Sequence, residues 1–255
     1  MALNFITVID EFDRADETPL ALPWRTAYTY GMPKLNDSVA VHVAASIVFA
    51  RYSLSGVPTG DQYTKITGHG AACNSSAGVR IKGTSLPVSY IQAYSLQLSR
   101  GGNPLSFAAP LGGGTDISDD HVDLVLWHPD AISNTGTGGL TVLWTQNLSS
   151  TGSSDWTFTL RVTDVVTPTG APGVNLWFTY SVDHAAGTTS DTIDVTHTDA
   201  NTAPNIQPMP TGGEPGIHLV GNGTFDMPDT RSSRISYFET GAWVLQDDDQ
   251  TYLDP

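Results

Sequence analysis

The amino-acid sequence predicts an all-β protein, built as a sandwich of antiparallel sheets with little or no helix. Apolar residues recur with a period of two wherever a period can be read, which is typical of half-buried strands. Turn-forming residues separate these segments, since the 255 residues include 25 glycines and 16 prolines. Strands do not alternate with amphipathic helices, as they do in α/β folds. About a dozen short strands joined by such turns are typical of a sandwich or a jelly roll.

The clearest strand covers residues 155–164, where Trp156, Phe158, Leu160 and Val162 alternate with polar residues that include Arg161. One face is therefore buried and the other solvated, as in an antiparallel strand. The same alternation predicts strands at 122–126, 140–144, 174–182 and 193–195. Further strands are predicted at 4–9, 38–50, 79–82, 87–98, 217–220, 234–239 and 241–246.

The segment 39–50 is the one stretch whose composition also permits a helix, because Ala44, Ala45 and Ser46 lie at its centre. Its beginning and end are rich in β-branched and aromatic residues. These side chains favour a strand over a helix.

The predicted domain organisation is a single jelly-roll domain over residues 1–246, followed by an acidic tail at 247–255. Two long loops are expected, at 99–120 and at 198–233, the second interrupted by the short strand at 217–220. Loops of this length usually serve function or contact a neighbour.

Charge excludes several classes of partner. The chain carries 11 Lys and Arg against 26 Asp and Glu, a formal net charge of −15. Nucleic acid and anionic membrane surfaces need clustered basic residues, which are absent here. No window of apolar residues is long enough for membrane insertion. Because Cys73 is the only cysteine and the N-terminus lacks a secretory signal, we expect synthesis in the cytoplasm and no intrachain disulfide.

The search for catalytic residues favours a protein that is not an enzyme. Sandwich-type glycoside hydrolases need two carboxyl groups beside the scissile bond. The four glutamates form no alternating pair within a predicted strand, and the pair His121 and Asp123 lacks a nucleophile. No nucleophile elbow, zinc motif, phosphate loop or dinucleotide fingerprint occurs. A glycoside hydrolase remains the remote alternative, and no cofactor is expected.

Two predicted strands place tryptophan beside polar side chains on the face opposite their apolar residues. On the first strand these are His121, Asp123 and Trp127, and on the second they are Asn175 and Trp177. Aromatic rings stack on the CH faces of sugars while amides and carboxylates take the hydroxyls, so these five residues are candidates for glycan binding. The alternative is that both tryptophans are buried beneath the long loops.

The segment Asp10-Glu-Phe-Asp-Arg-Ala-Asp16, followed by Leu20 and Trp24, resembles the opening of laminin-G-like (concanavalin-like) jelly-roll domains of bacterial and phage proteins. The segment 234–241 is similar to their closing strand, which pairs beside the first strand. We expect these residues to form a structural latch between the chain ends: Asp10, Phe12, Arg14, Asp16 and Trp24. In the latch, the rings are apolar anchors and Arg14 bridges carboxylates. Calcium held by Asp10, Asp13 or Asp16 is the alternative.

The resemblance also implies a function. Small laminin-G-like proteins with this opening are similar to minor tail or virion-surface proteins of phages that infect actinobacteria. It implies a non-enzymatic virion component, either structural or decorating, that contacts other virion proteins, assembles as a homo-oligomer such as a trimer and attaches to a host-surface glycan. A carbohydrate-binding lectin or receptor adhesin is the alternative from another class.

Overall fold

The computed structural model describes residues 2–17, 19–26, 34–36, 39–41, 47–54, 57–70, 75–84, 90–99, 120–127, 140–148, 154–166, 168, 170–184, 187–198, 212–220 and 234–246. These residues form strands, turns and bends, and no helix occurs among them. Within the same ranges, therefore, no helix could cross a membrane.

Fifteen strands make up the described fold. They are β1 (Ala2–Asp10), β2 (Trp24–Thr26), β3 (Lys34–Asn36), β4 (Val39–Val41), β5 (Ile47–Tyr52), β6 (Val57–Gly70), β7 (Ser75–Thr84), β8 (Tyr90–Ser99), β9 (Asp120–Trp127), β10 (Leu140–Leu148), β11 (Ser154–Val166), β12 (Pro172–His184), β13 (Gly187–His197), β14 (Glu214–Val220) and β15 (Arg234–Gln246).

The strands form two antiparallel sheets, so the predicted all-β sandwich of jelly-roll class is confirmed. Sheet A has the order β13-β12-β11-β6-β15-β4-β3, and β1 also pairs with β15. Sheet B has the order β10-β9-β8-β7-β14-β5-β2. The first and last strands pair over their whole shared length, from Ala2 opposite Gln246 to Asp10 opposite Phe238. The predicted pairing of the opening and closing strands is thus confirmed.

The core lies between the sheets and follows the alternation of the strands. In β11 and β12 every second side chain is buried, and together with its partners from sheet B it forms one apolar cluster. Each large apolar side chain buried in this way contributes about 1.5–3 kcal/mol to stability. Its large aromatic members include Trp156, Tyr94, Phe158, Phe178 and Phe238.

The sequence analysis missed the central strand of sheet A. β6 pairs with β11 on one side and with β15 on the other. Its inward-facing residues include Gln62, Thr64 and Gly68, which are buried but not apolar. The pattern of buried apolar residues is therefore interrupted where the strand is most buried.

Polar groups link β6 to β7 across the sandwich. The Thr64 hydroxyl donates to the carbonyl of Gly78 at 2.7 Å, and the Arg80 amide donates to Oε1 of Gln62 at 2.8 Å. The guanidinium of Arg80, which is fully buried, donates to the carbonyl of Gly60 at 2.7 Å and pairs with Asp164 at 2.6 Å. Gln62, Thr64 and Arg80 are tolerated in this core because each has such a partner.

Several segments differ in the structure from what the sequence pattern predicts. The segment 39–50 contributes β4 and the first part of β5, and residues 42–46 lie outside the described residues. The second predicted loop contains β14, which extends the predicted strand at 217–220 to Glu214. In the second loop, residues 199–211 and 221–233 lie outside the described residues. The same holds for residues 100–119 of the first loop and for the tail at 247–255.

Candidate functional site

The candidate latch residues meet at the end of β1, around the carboxylate of Asp10. Its Oδ1 accepts hydrogen bonds from the Phe12 amide at 2.8 Å and from the Arg14 guanidinium at 2.6 Å. Its Oδ2 accepts from the indole N–H of Trp24 at 2.7 Å. Both carboxylate oxygens are thus occupied by donors of the chain itself. Among the described residues, no group of three or more His, Cys, Asp or Glu side chains could hold a metal ion.

Arg14 bridges Asp10 and Glu17. The Nε of Arg14 donates to Oε1 of Glu17 at 2.9 Å. Partial burial alone would lower the pKa of Arg14, but its hydrogen bonds to Glu17 and Asp10 raise it. The hydrogen bond from Arg14, with one from the Ala21 amide, lowers the pKa of Glu17. Asp16 is exposed in the same loop.

Aromatic rings fix this loop to the core. Phe12 is fully buried at a φ of 55°, and its ring stacks on Trp24 with centroids 6.0 Å apart. Trp24 also contacts Phe238 of the closing strand at 4.7 Å. This arrangement joins the two ends of the described chain, and its contacts are structural packing contacts.

The five candidate glycan-binding residues do not come together. His121, Asp123 and Trp127 lie on β9 in sheet B, whereas Asn175 and Trp177 lie on β12 in sheet A. Both sets face away from the core, because the residues between them on each strand are core residues. The outer faces of two different sheets point to opposite sides of the sandwich.

The set on β9 is a buried polar network. Asp123 is 1% exposed, and its oxygens accept from the Thr145 hydroxyl at 2.7 Å and contact Nδ1 of His121 at 2.7 Å. Trp127, 5% exposed, packs edge-on against His218, which contacts the Ser76 hydroxyl at 3.0 Å. Trp127 is therefore a buried side chain.

Trp127 and His218 show how closely this face is packed. Their strands are three positions apart in sheet B, about 14 Å along a flat sheet. The ring centroids nevertheless lie 5.1 Å apart. The strands between them present Gly78 and Ser95 at one register position, and such small residues leave room for the rings to meet. A ligand has no open access to these side chains.

The set on β12 lies on an open groove. Trp177 is 37% exposed, with Arg161 of β11 directly opposite on one side and Asp194 of β13 on the other. The groove has a volume of about 330 Å³. Its lining residues are Arg161, Thr163, Asn175, Trp177 and Asp194. We call it the Trp177 groove.

Hydrogen bonds hold one wall of the Trp177 groove. The Asn175 amide nitrogen donates to Oδ1 of Asp194 at 2.6 Å, and its oxygen accepts from the Thr196 hydroxyl at 3.1 Å. Asp194 is thereby oriented without a cation. It is the one carboxyl group among the described residues that line the groove, so the paired carboxylates of glycoside hydrolysis are not present in that set.

The row of Trp177 and Arg161 continues into a phenol–carboxylate cluster on β6 and β15. Tyr63, opposite Arg161, donates to Oε1 of Glu239 at 2.8 Å, and Tyr237 donates to Oε2 at 2.6 Å. Burial and the bond to Glu239 raise the pKa of Tyr63 to about 12. The bond to Glu239 raises the pKa of Tyr237 to about 12 as well. The bonds from Tyr237 and Tyr63, with nearby Lys65, lower the pKa of Glu239.

Arg161, Thr163 and Asp194 were not among the candidate residues. The alternation in residues 155–164 already indicates that Arg161 and Thr163 face outward. Asp194 also faces outward, because it lies between Ile193 and Val195. What the sequence does not contain is the register, which sets Arg161 and Asp194 on either side of Trp177.

Comparison with known proteins gives only distant similarity. No family model and no curated protein matches the sequence. Among solved structures, the CBM2 module of the evolved Dit of Lactobacillus casei BL23 phage J-1 aligns with 97% of this chain and 100% of its own, at 9% identity and a TM-score of 0.41. The Crh5 transglycosylase aligns over 92% and 83%, at 12% identity and a TM-score of 0.37. The β-porphyranase BpGH16B of Bacteroides plebeius aligns over 95% and 93%, at 10% identity and a TM-score of 0.32. Similarity this low adds nothing about function to the geometry itself.

Proposed function

We propose that the protein is a non-enzymatic component of a phage virion that binds carbohydrate in the Trp177 groove. The observation that carries this proposal is the indole of Trp177, which is 37% exposed in a groove lined by polar side chains on the outer face of sheet A. Arg161 and Asp194 flank the ring at its own register position. A sugar stacked on the indole places its hydroxyls at these two side chains.

The groove has the composition that sugar recognition needs. Thr163, Asn175 and Asp194 supply a hydroxyl, an amide and a carboxylate at its rim. A few fixed polar groups around an apolar surface give orientation and specificity to a small ligand. Asp194 is held by Asn175, so the entropic cost of ordering the wall is reduced.

Placement in a virion rests on the sequence. The resemblance of residues 10–24 to openings of phage jelly-roll proteins supports it, and a net charge of −15 would keep copies soluble before assembly. Contacts to neighbouring virion proteins or to copies of this chain would form at exposed apolar residues of β1 and β15. Phe5 and Trp243, packed edge-on at 5.3 Å, are 48% and 40% exposed there.

Affinity electrophoresis through gels that contain single cell-wall or capsular polysaccharides tests sugar binding. We expect retardation of the wild-type protein by at least one polysaccharide and its loss in Trp177→Ala. Leu22→Ala is the matched control, because Leu22 is 77% exposed just before β2 of sheet B. Equal retardation of wild type and Trp177→Ala in every gel overturns the proposed site.

Two further measurements test the rest of the proposal. Incubation with the same polysaccharides should release no reducing sugar, and release that depends on Asp194 would overturn the non-enzymatic assignment. Sedimentation velocity should show an ordered oligomer, such as a trimer, that Trp243→Ser weakens. Ordered oligomers without a response to any glycan would favour a purely structural virion protein.

A further inference from the structure

We infer that the glycan recognised by the Trp177 groove carries a negative charge, either a carboxylate or a phosphodiester, and that Arg161 binds it. This inference rests on the proposed function. It is carried by a second observation, which is that the Arg161 guanidinium has no partner among the described residues.

Arg161 makes no hydrogen bond or ion pair with any other residue in the part of the chain that the structure describes. Asp194 and Arg161 lie two strands apart, about 10 Å along the sheet, with Trp177 between them. Asp194 is instead engaged by Asn175. The nearby carboxylate of Glu239 is occupied by Tyr63 and Tyr237.

Three of the other five arginines in the described ranges are paired. Arg14 binds Asp10, Arg51 lies 3.3 Å from Glu214, and Arg80 binds Asp164. Carboxylates outnumber cations by more than two to one in this protein, so acceptors for an arginine are plentiful. Arg25 and Arg234 also lack an ion pair among the described residues, but neither of them lines the groove. What distinguishes Arg161 is an unpaired guanidinium beside an exposed indole.

The chemistry of the two groups is complementary. The guanidinium offers a planar fork of donors that matches carboxylate or phosphate oxygens. A sugar ring stacked on Trp177 directs one edge toward Arg161 and the opposite edge toward Asp194. An anionic group then meets the cation, while neutral hydroxyls meet the carboxylate. The protein carries a net negative charge, so the local cation of Arg161 directs an anionic ligand to this groove rather than to other parts of the surface.

Isothermal titration calorimetry with three probes tests the inference: oligogalacturonate for carboxylates, poly(glycerol phosphate) for phosphodiesters and dextran as a neutral glycan. We expect one anionic probe to bind more tightly than dextran, and Arg161→Gln to weaken that probe about three- to tenfold. Arg161→Lys should recover part of the loss. Arg25→Gln removes the same charge outside the groove and should change affinity less than about twofold.

The outcomes separate this inference from the proposed function. If Trp177→Ala abolishes binding while Arg161→Gln leaves it unchanged, the acidic glycan is wrong and the groove stands. If dextran binds as tightly as both anionic probes, the inference is overturned as well. If no probe depends on Trp177, the proposed function fails together with the inference. The anionic probe that binds shows whether a carboxylate or a phosphodiester is recognised.

Discussion

Replacing Asp10 by alanine removes the acceptor on which the latch depends. The substitution leaves three donors without their partner: the Phe12 amide, the Arg14 guanidinium and the Trp24 indole N–H. Trp24 is 2% exposed, so water does not readily replace the lost acceptor. We therefore expect a large loss of folding stability from one surface-proximal carboxylate.

The magnitude follows from the burial of each donor. A buried donor left unsatisfied costs about 1–3 kcal/mol, which applies to the Trp24 indole. The Arg14 side chain is 34% exposed, so its ion pair contributes no more than about 1 kcal/mol. The Phe12 amide adds about 1 kcal/mol for a lost local bond. Together these terms predict a decrease of about 2–5 kcal/mol in the free energy of unfolding.

Urea denaturation followed by tryptophan fluorescence measures this decrease. Asp13→Ala is the matched control, because Asp13 is an exposed carboxylate of the same loop, and it should change stability by less than about 0.5 kcal/mol. Asp10→Asn keeps one acceptor oxygen and should lie between the two. Equal stability of Asp10→Ala and Asp13→Ala would refute the reasoning.

Two further predictions concern sheet A. Glu239 has a folded pKa below its ordinary 4.5, so its contribution to stability is present above pH 4.5 and is lost as the pH falls below that value. Tyr63 and Tyr237 have raised pKa values, so their contribution to stability is present below pH 10 and is lost between about pH 10 and 12. Glu239→Gln removes the partner that these shifts share, so it should flatten the pH profile of unfolding at both the acidic and the basic end. Gly68→Ala should destabilise the fold by about 3 kcal/mol in urea denaturation, because a β-carbon there would overlap the ring of Trp156 and a backbone carbonyl.

Each of these predictions has its own control. Asp13→Asn also removes one carboxylate charge and should leave the pH profile unchanged; a profile that Glu239→Gln does not alter would argue against the cluster. Gly173→Ala should cost less than about 1 kcal/mol, because the nearest atoms would lie 3.2 Å from its new β-carbon. A Gly68→Ala protein as stable as Gly173→Ala would show that β6 is not packed as described.

The alternation of apolar residues predicts most of this fold because most strands bury one face. It fails for β6, since that strand is covered on both edges and its inward side chains, such as Gln62 and Thr64, bond to the facing β7. Polar residues are stable there only through tertiary partners, which are remote in the chain. A one-dimensional pattern therefore does not predict the central strand of sheet A.

The candidate site was predictable in part. The pattern indicated that Asn175 and Trp177 face outward on one strand. It could not indicate that Trp127 belongs to the other sheet, because the period of a strand does not specify which sheet the strand joins. The neighbours Arg161 and Asp194 depend on register, which the pairing of three strands establishes.

The indole N–H signals of the six tryptophans, observed by nuclear magnetic resonance during titration with the polysaccharide that retards the protein, test the central claim most directly. The Trp177 signal, assigned from Trp177→Phe, should shift with added glycan, whereas those of the buried Trp24 and Trp156 should stay in place. A titration in which Trp177 does not move, or in which Trp127 moves in its stead, would contradict a binding site on the outer face of sheet A.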